Sequence, residues 1–442
     1  MPPKIIVFDD DPTGSQTVHG CLLLTRWDVD TLKLGLTDES PLMFVLTNTR
    51  GMSASDAEQV TREVCRNLKT AMQGFDQPVL FVSRSDSTLR GHYPVETDVM
   101  AEELGPFDAH FLTPAFFEGG RTTIDSVHYL RVDGKPVPVH ETEFARDSVF
   151  GYRHSYLPDY VEEKTNGRIK ADRVQRFVLA DIRSGTLERL MALHGNACCV
   201  VDAERQPDLD RFADDLERAA AQGKRFLFRS AASLLTALAK LPPQPVPAED
   251  MQRYVTDHRP GIVVVGSHVK KTTEQLQILL QQPGIESVEV DVGRMPGQST
   301  ALLQEISIRV LQAHRRGLTP VVFTSRTERQ FADQAERLAF GEHVSGFLMD
   351  VVRGLPATIG FIISKGGITS NDMLSKGLAL PAARLAGQIL AGCSVVLTPE
   401  DHPFPQIPVV IFPGNVGDAS ALAEVWQRLS GRSVERPARA DS

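Results

Sequence analysis

The sequence lacks several features that would place it at once in a common class of protein. No apolar run approaches the roughly 20 residues that a membrane-spanning helix needs. Residues 1–4 lead directly into an apolar run and show neither the basic nor the apolar region of a signal peptide, so we expect a cytoplasmic protein. Lys and Arg together number 47 against 56 Asp and Glu, which argues against a nucleic-acid-binding surface.

Cysteine and metal-binding patterns are equally scarce. Only 5 cysteines occur in 442 residues, without a C-x-x-C pair, so at least one must be unpaired. Cys198 and Cys199 lie in an apolar run, and we expect free thiols buried in a reducing compartment. The histidines show no H-x-H or H-E-x-x-H spacing, so no metal ligand is predicted among them. The G-x-x-x-x-G-K-[ST] and G-x-G-x-x-G nucleotide motifs are also absent.

What the sequence does contain is an alternation of short apolar runs with amphipathic stretches. Residues 42–46 precede a stretch of helical periodicity at 53–72, and residues 79–82 precede another at 94–104. This alternation predicts an α/β fold with largely parallel sheets. Further strands are predicted at 110–112, 176–179, 197–202, 261–265, 319–323, 358–363, 395–397 and 409–412, and further helices at 208–221, 272–280 and 328–352.

Two segments interrupt the alternation. Residues 116–166 form a long excursion whose many aromatic side chains argue against disorder. Residues 241–248 contain four prolines, which cannot continue a helix or a central strand. A chain of 442 residues is also too long for one compact core. We therefore predict an N-terminal domain over residues 1–240, a Pro-rich linker over 241–260, a C-terminal domain over 261–431 and a polar tail over 432–442.

An acidic turn follows the first predicted strand. Three consecutive carboxylates precede Pro12, and Thr13 and Gly14 complete a tight turn. A single Asp at this position would be explained equally well as a helix cap. Three carboxylates repel one another without a cation or a hydroxyl-rich ligand, so we predict that Asp10, Asp11 and Thr13 belong to a binding site at the carboxyl edge of a sheet.

A second polar turn follows the strand at residues 79–82. Asp86 is a candidate general base, Ser87 a hydroxyl donor, and Arg90 a cation suited to a bidentate contact with a carboxylate. Arg84 and Arg121 offer further cations, the latter beside a Gly-Gly pair after another strand. The alternatives are a capped helix start with an internal Asp–Arg ion pair and, for Arg121, a plain Gly-Gly turn.

Three Gly-containing turns follow predicted strands in the second half of the chain, at residues 266–272, 364–372 and 413–418. Backbone amides at the start of a helix favour phosphate groups. Each turn taken alone matches an ordinary βα connection. Three of them in one domain indicate a nucleotide-binding crevice.

The ordered set of motifs resembles the four-carbon acid sugar kinase family. D-D-P-T-G, D-S-T-L-R-G and P-A-F-x-x-G-G-R-T come first, and G-S, G-G-x-T-S and P-G-N-x-G follow, from about Lys4 to Arg428. The resemblance implies an N-terminal domain that binds a threonate, erythronate or oxo-tetronate, a C-terminal domain that binds ATP with Mg²⁺, and phosphoryl transfer in the cleft between them. It leaves the oligomeric state open, a homo-oligomer included.

The resemblance also implies roles for individual residues. Asp86 or Asp11 would be the general base, Arg90 with Arg84 or Arg121 would hold the substrate carboxylate, and Lys365 would neutralise charge in the transition state. The acid would contact Asp10, Asp11, Thr13, Asp86, Ser87, Arg90 and Arg121, and ATP would contact Ser267, Gly366, Gly367, Ile368, Thr369 and Gly414.

The chain departs from the family pattern after the paired glycines. Ile368, Thr369, Ser370 and Asn371 stand where family members commonly carry Glu, Thr, Ser and Gly. One alternative function is therefore a sugar-acid sensor that has lost phosphoryl transfer. Another is a different sugar-acid enzyme; the missing dinucleotide motif argues against a dehydrogenase, and no environment for a Schiff-base lysine supports an aldolase.

Overall fold

A computed structural model describes residues 3–326 and 334–432, and the chain divides into two compact units, Met1–Pro243 and Gln244–Ser442. Both units are α/β, as predicted, and parallel strand pairs predominate in the main sheet of each. None of the helices in the described ranges combines the length and the apolar character needed to cross a membrane.

The first unit is built on a parallel sheet with the strand order β2-β3-β1-β4-β11-β5-β10-β9. Its strands are almost wholly buried, as expected for a parallel sheet covered by helices on both faces. The strands of this sheet are β1 (Lys4–Asp9), β2 (Leu22–Leu24), β3 (Leu42–Leu46), β4 (Val79–Arg84), β5 (Ala109–Thr113), β9 (Gln175–Phe177), β10 (Ala197–Val201) and β11 (Phe226–Ser230).

Helices follow most of these strands, and local sequence signals set where they begin. The second helix begins as predicted, because the Ser53 hydroxyl accepts a hydrogen bond from the Asp56 amide. The helices of the unit are α1 (Val29–Thr37), α2 (Ala54–Ala71), α3 (Val95–Leu104), α4 (Leu157–Lys164), α5 (Leu179–Ser184), α6 (Leu187–Ala192), α7 (Gln206–Ala221) and α8 (Ala232–Ala239).

The excursion at residues 116–166 is ordered. It forms a small antiparallel sheet of β6 (Arg121–Ile124), β7 (Val127–Val132) and β8 (Lys135–Pro138), followed by two 3-10 turns and α4. Tyr152 and Tyr160 from this segment pack in one apolar cluster with Leu89 and Leu112 of the main fold. The aromatic residues therefore fix the excursion against the parallel sheet.

The second unit has the strand order β13-β14-β12-β15-β18-β17-β16, in which the first five strands are parallel and the last two antiparallel. Its strands are β12 (Ile262–Val265), β13 (Ile285–Val290), β14 (Thr319–Thr324), β15 (Ile362–Lys365), β16 (Ala382–Leu390), β17 (Cys393–Leu397) and β18 (Pro408–Phe412), and its helices are α9 (Lys270–Leu280), α10 (Ser299–Arg315), α11 (Gln334–Arg353), α12 (Gly367–Asp372) and α13 (Ala421–Ser430).

Some element boundaries differ from those expected. The strand predicted at 358–363 begins only at Ile362, because Pro356 opens a turn closed by the Ile359 amide. Leu179, placed in a strand, begins α5. β16 was not predicted; its register shifts around Gly387, which has φ of 134°, break the apolar alternation. The start of the helix predicted at 328–352 and nearly all of the tail lie outside the described residues.

The segment predicted as a linker contributes to the second unit. A 3-10 helix covers Ala248–Tyr254, and Met251 and Val255 are buried in the main apolar cluster of that unit. The prolines of residues 241–247 therefore mark the boundary, whereas the residues after them belong to the core. All five cysteines are buried, as expected.

Candidate functional site

The two predicted polar turns lie at one edge of the first sheet. Asp9 pairs in register with Leu46 on β3 and with Arg84 on β4, and Arg84 pairs with Ser230 on β11. The carboxyl ends of four neighbouring parallel strands therefore meet, which is where open α/β sheets bind ligands.

Asp10 is the centre of the first cluster. Its side chain is 1% exposed, and Arg50 donates to its two oxygens at 2.5 and 3.2 Å. Ser85 also donates to Asp10 Oδ2 at 2.6 Å, and Arg229 donates to that same serine hydroxyl at 2.7 Å. Both oxygens of the buried Asp10 carboxylate therefore accept hydrogen bonds, and these bonds connect the end of β1 to the ends of β3, β4 and β11.

Asp11 is more accessible than Asp10. Its Oδ1 accepts hydrogen bonds from the amide and hydroxyl of Thr13, at 2.8 and 2.5 Å, and its Oδ2 lies 3.4 Å from Arg50 Nη1. Burial alone would raise the pKa of Asp11, but Arg50 and the two bonds from Thr13 outweigh burial and lower it. Asp11 is therefore an ionised carboxylate at neutral pH.

Asp86 organises the second turn. Its Oδ2 accepts from the Thr88 amide at 3.2 Å, from the Thr88 hydroxyl, and from Arg90 Nε at 2.9 Å. Burial opposes ionisation, but Arg50 and Arg90 lower the pKa of Asp86 well below its usual value. Arg90 also lies 3.7 Å from the Asp147 carboxylate. The internal Asp–Arg ion pair, which we considered as an alternative to a binding site, therefore exists and forms part of the cluster.

Asp9 and Arg84 form a buried pair, and several of their polar atoms make no hydrogen bond with the described residues. Asp9 is fully buried, and Arg84 Nη1 lies 3.5 Å away. Within the part of the chain that the structure describes, neither Asp9 oxygen has a hydrogen-bond partner, nor has the buried Arg84 Nε. Burial raises the pKa of Asp9 to about 8, although Arg84 acts against the shift. Gly14 is required beside them, because a Cβ there would lie 1.9 Å from Asp9 Oδ1.

Arg121 and Ser87 lie close to this cluster. Arg121 donates from Nη1 to the Gly119 carbonyl at 2.6 Å, and its buried Nε has no partner in residues 3–326 and 334–432. Burial lowers the pKa of Arg121, and the charge of Asp86 acts in the opposite direction. Ser87 is 8% exposed, and its carbonyl accepts from His128 Nε2 at 2.8 Å.

A pocket lies beside the second turn. Among the described residues, the buried hydroxyl of Ser230 in its wall has no hydrogen-bond partner, and neither has the buried hydroxyl of Thr113 at the end of β5. Unpaired buried hydroxyls are costly unless a ligand or water satisfies them. The pocket is lined by Ser85, Asp86, Leu89, Arg90, Tyr93, Leu112, Pro114, Tyr160, Arg229 and Ser230.

The sequence-based reasoning missed Arg50 and Arg229. Arg50 lies in the 3-10 turn directly after β3, and the rule that polar residues after strands line the site would have found it. Arg229 lies within the apolar strand β11, donates to Ser83 Oγ and is paired with Glu96 at 2.5 Å. A lone arginine inside an apolar run was the available signal for this residue.

In the second unit, the predicted Gly turns converge on Ser267. A Cβ on Gly414 would lie 3.1 Å from the Ser267 hydroxyl, and one on Gly366 would lie 2.9 Å from the Ser267 Cβ. A Cβ on Gly266 would lie 2.3 Å from Thr369 Oγ1. These close approaches explain the glycines, and they bring Ser267, Gly366, Thr369 and Gly414 together.

Other residues around these turns differ from expectation. Lys365 is fully buried and donates to the Pro413 carbonyl at 2.6 Å, so it holds the backbone at the start of the third Gly turn. Gly367 begins α12, and Ile368 beside it is 76% exposed. Arg326, which was not predicted, donates to the Ser267 carbonyl at 2.6 Å. It follows β14, so its position at a strand end was the missed signal.

Comparison with known proteins identifies both units. Residues 5–238 match the family model described as a sugar-binding N-terminal domain, and residues 262–422 match that described as a nucleotide-binding C-terminal domain. A Haemophilus influenzae protein of known crystal structure shares the fold, with a TM-score of 0.64, 18% identity, and coverage of 96% of this chain and 100% of that one.

The chain is also similar to proteins whose names state an activity. The chain is 27% identical to a D-threonate kinase of Salmonella typhimurium over 442 residues, 95% of this chain and 97% of that protein. It is 29% identical to a D-erythronate kinase of Heliobacterium modesticaldum over 224 residues, 48% of this chain and about half, 47%, of that protein. Together with the two domain models, these matches show that the chain belongs to the four-carbon acid sugar kinase family.

Proposed function

We propose that this protein is an ATP-dependent kinase that phosphorylates a hydroxyl group of a four-carbon sugar acid. The observation that carries the proposal is the cluster of Asp10, Asp11, Arg50, Asp86 and Arg90 at the carboxyl edge of the first sheet. It combines carboxylates that can orient a hydroxyl with cations that can bind an acid. The family membership and the names of the two relatives support the same reaction.

The substrate carboxylate would bind to the guanidinium groups that still have unused donors. Arg84 and Arg121 each have a buried Nε that bonds to none of the described residues, and a carboxylate is a suitable acceptor for such a donor. Arg90 already donates to Asp86. We therefore assign the carboxylate contact mainly to Arg84 and Arg121, with Arg90 holding the Asp86 side chain in place.

The attacking hydroxyl would donate to Asp86 or to Asp11. The three hydrogen bonds that Asp86 accepts from the described residues all reach Oδ2, which leaves Oδ1 for a substrate hydroxyl. A strongly acidic carboxyl is a weak base, so its main contribution would be to orient the hydroxyl and to receive its proton as the phosphoryl group is transferred. Asp11, which is held by Thr13 and Arg50, offers the same chemistry.

The nucleotide would bind where the Gly turns of the second unit converge. The close packing around Ser267 leaves backbone amides and hydroxyls, rather than side-chain bulk, to meet phosphate groups, so the residues fit ATP. The described parts of the chain contain no group of three or more His, Cys, Asp or Glu residues that could hold a metal ion. Mg²⁺ would therefore enter on the nucleotide, held chiefly by phosphate oxygens and water.

An assay of ADP release tests the proposal. Purified protein with ATP and Mg²⁺ is offered D- and L-threonate, D- and L-erythronate and the 3-oxo-tetronates, and phosphorylated acid is identified by mass. We expect ADP release with at least one acid, strongly reduced by Asp86→Asn and unaffected by Asp76→Asn, a matched change at an exposed position. Tight binding of an acid by calorimetry without ADP release from any of them would instead support a sensor.

A further inference from the structure

The turn between Asp86 and Gly91 is held by its backbone carbonyls. Three consecutive carbonyl oxygens each accept a hydrogen bond from a side chain, an arrangement that a surface turn open to water does not need. The carbonyls of Ser87, Thr88 and Leu89 accept, respectively, from His128 Nε2 at 2.8 Å, Tyr152 Oη at 2.7 Å and Tyr160 Oη at 2.9 Å.

All three donors come from the excursion that interrupts the βα pattern. His128 lies on β7, Tyr160 on α4, and Tyr152 between the 3-10 turns and that helix. Their exposed fractions are 0% for His128, 4% for Tyr152 and 2% for Tyr160. The excursion therefore reaches the turn with buried polar groups, where each hydrogen bond is protected from competition by water.

The protonation of His128 suits this role. A carbonyl can only accept, so Nε2 must carry a proton, and the Thr123 hydroxyl 2.9 Å from Nδ1 supplies the second contact. Burial lowers the pKa of His128 to about 4, although the bond to the Ser87 carbonyl acts against the shift. The imidazole is therefore neutral at physiological pH, with Nε2 as a fixed donor.

The backbone of the turn is strained, which shows why it needs support. Leu89 has φ of 67°, in the left-handed region that residues with a branched side chain rarely adopt. Its side chain is 7% exposed and packs in the apolar cluster that contains Tyr152 and Tyr160. Strained residues of this kind persist only where the surroundings hold them, and they concentrate at functional sites.

We propose that His128, Tyr152 and Tyr160 are positioning residues that hold the turn of Asp86 and Arg90 in its reactive conformation. They act through the carbonyls of residues 87–89. With the carbonyls tied to the excursion, the Asp86 and Arg90 side chains are held at the pocket that they line. This inference rests on the proposed kinase function, and it assigns the excursion a role in acceptor recognition.

Removal of single hydroxyl groups tests the proposal. Tyr152→Phe and Tyr160→Phe each keep the ring in the apolar cluster and delete one donor. Tyr129→Phe is the matched control, because Tyr129 lies on the same small sheet and its hydroxyl makes no hydrogen bond with the described residues. We expect KM for the sugar acid to rise about 10-fold in each variant and further in the double variant, because small displacements of catalytic groups are costly. KM for ATP should stay unchanged.

Hydrogen exchange supplies a readout that does not depend on turnover. We expect the amides of residues 86–91 to exchange faster in Tyr152→Phe and Tyr160→Phe than in the wild type or Tyr129→Phe. If the wild type releases no ADP with any acid, the kinase proposal fails. The exchange rates still show whether the hydroxyls of Tyr152 and Tyr160 hold the turn in place. Unchanged exchange, or kcat and KM values equal to those of Tyr129→Phe, would show that these hydroxyls do not hold the turn.

Discussion

Arg50, in the turn after β3, donates two hydrogen bonds to the buried carboxylate of Asp10 at the end of β1. The same guanidinium lies 3.4 Å from Asp11, and its charge also lowers the pKa of Asp86. One side chain therefore sets the electrostatics of all three carboxylates that the sequence singled out. It joins the two polar turns, which lie 75 residues apart along the chain between Asp10 and Ser85, into one site.

Arg50→Lys should reduce kcat/KM for the sugar acid by about 10- to 100-fold. A lysine keeps the charge but cannot make the two-pronged contact with Asp10, so the carboxylates would shift relative to one another. The measurement is steady-state kinetics with each substrate varied, and Arg66→Lys, at an exposed ion pair with Glu103, is the control. Full activity in Arg50→Lys would show that charge alone suffices at this position.

The sequence was sufficient to predict the α/β class, the boundary near the proline run and the position of both polar turns, because each depends on local periodicity and strand ends. It was insufficient for Arg229, whose partners Ser85 and Glu96 come from distant segments. The burial of Lys365 and its hydrogen bond to the Pro413 carbonyl could not be predicted from the sequence either. Side-chain partners depend on strand order and register, which no local pattern contains.

Substitutions that remove one carboxylate at a time should show whether Asp86 or Asp11 is the general base. Asp86→Asn should lower kcat by at least about 100-fold, because it removes both the proton acceptor and the charge partner of Arg90. Asp11→Asn should lower kcat less, by about 10-fold, since Thr13 can still bond to the amide oxygen of the new side chain. The measurement is kcat at saturating ATP and acid. A larger effect of Asp11→Asn would make Asp11 the residue that receives the proton.

Asp9 should make the protein less stable as the pH rises. In the unfolded chain this carboxyl ionises near pH 4, whereas the folded protein keeps its proton up to about 8. Between these values the folded state binds more protons, so stability falls with rising pH by roughly 1 kcal/mol per pH unit. Asp9→Asn removes the titration without changing the size of the side chain.

Thermal unfolding of Asp9→Asn and of the wild type at pH 5 and pH 8 measures this effect. The melting temperature of Asp9→Asn relative to the wild type should increase from pH 5 to pH 8. Asp76→Asn, at an exposed position, should show no such trend. A constant difference across this range would mean that Asp9 ionises normally in the folded protein.

Gly266→Ala should impair nucleotide binding selectively. The new methyl group would lie 2.3 Å from Thr369 Oγ1, so the turns that converge on Ser267 would have to separate. We expect KM for ATP to rise about 10-fold or more while calorimetric binding of the sugar acid is unchanged. Gly297→Ala, where no atom lies within 4 Å of the added carbon, is the control. Weakened binding of the acid as well would indicate a general loss of folding.

Lys365→Met should change how the stability of the protein depends on pH, because Lys365 is a buried amine bonded to the third Gly turn. Burial lowers the pKa of Lys365 from 10.5 to about 7, so above pH 7 the folded protein sheds a proton that the unfolded chain retains. The unfolded state then binds more protons, and the wild type gains stability between pH 7 and pH 10. Methionine does not titrate, so the stability of Lys365→Met relative to the wild type should decrease over this range in urea unfolding.

The same substitution should also raise KM for ATP, because the Pro413 carbonyl loses its donor and the turn that carries Gly414 is no longer fixed. A pH-independent difference in stability together with a normal KM would mean that Lys365 stays charged and only fills space beneath the turn.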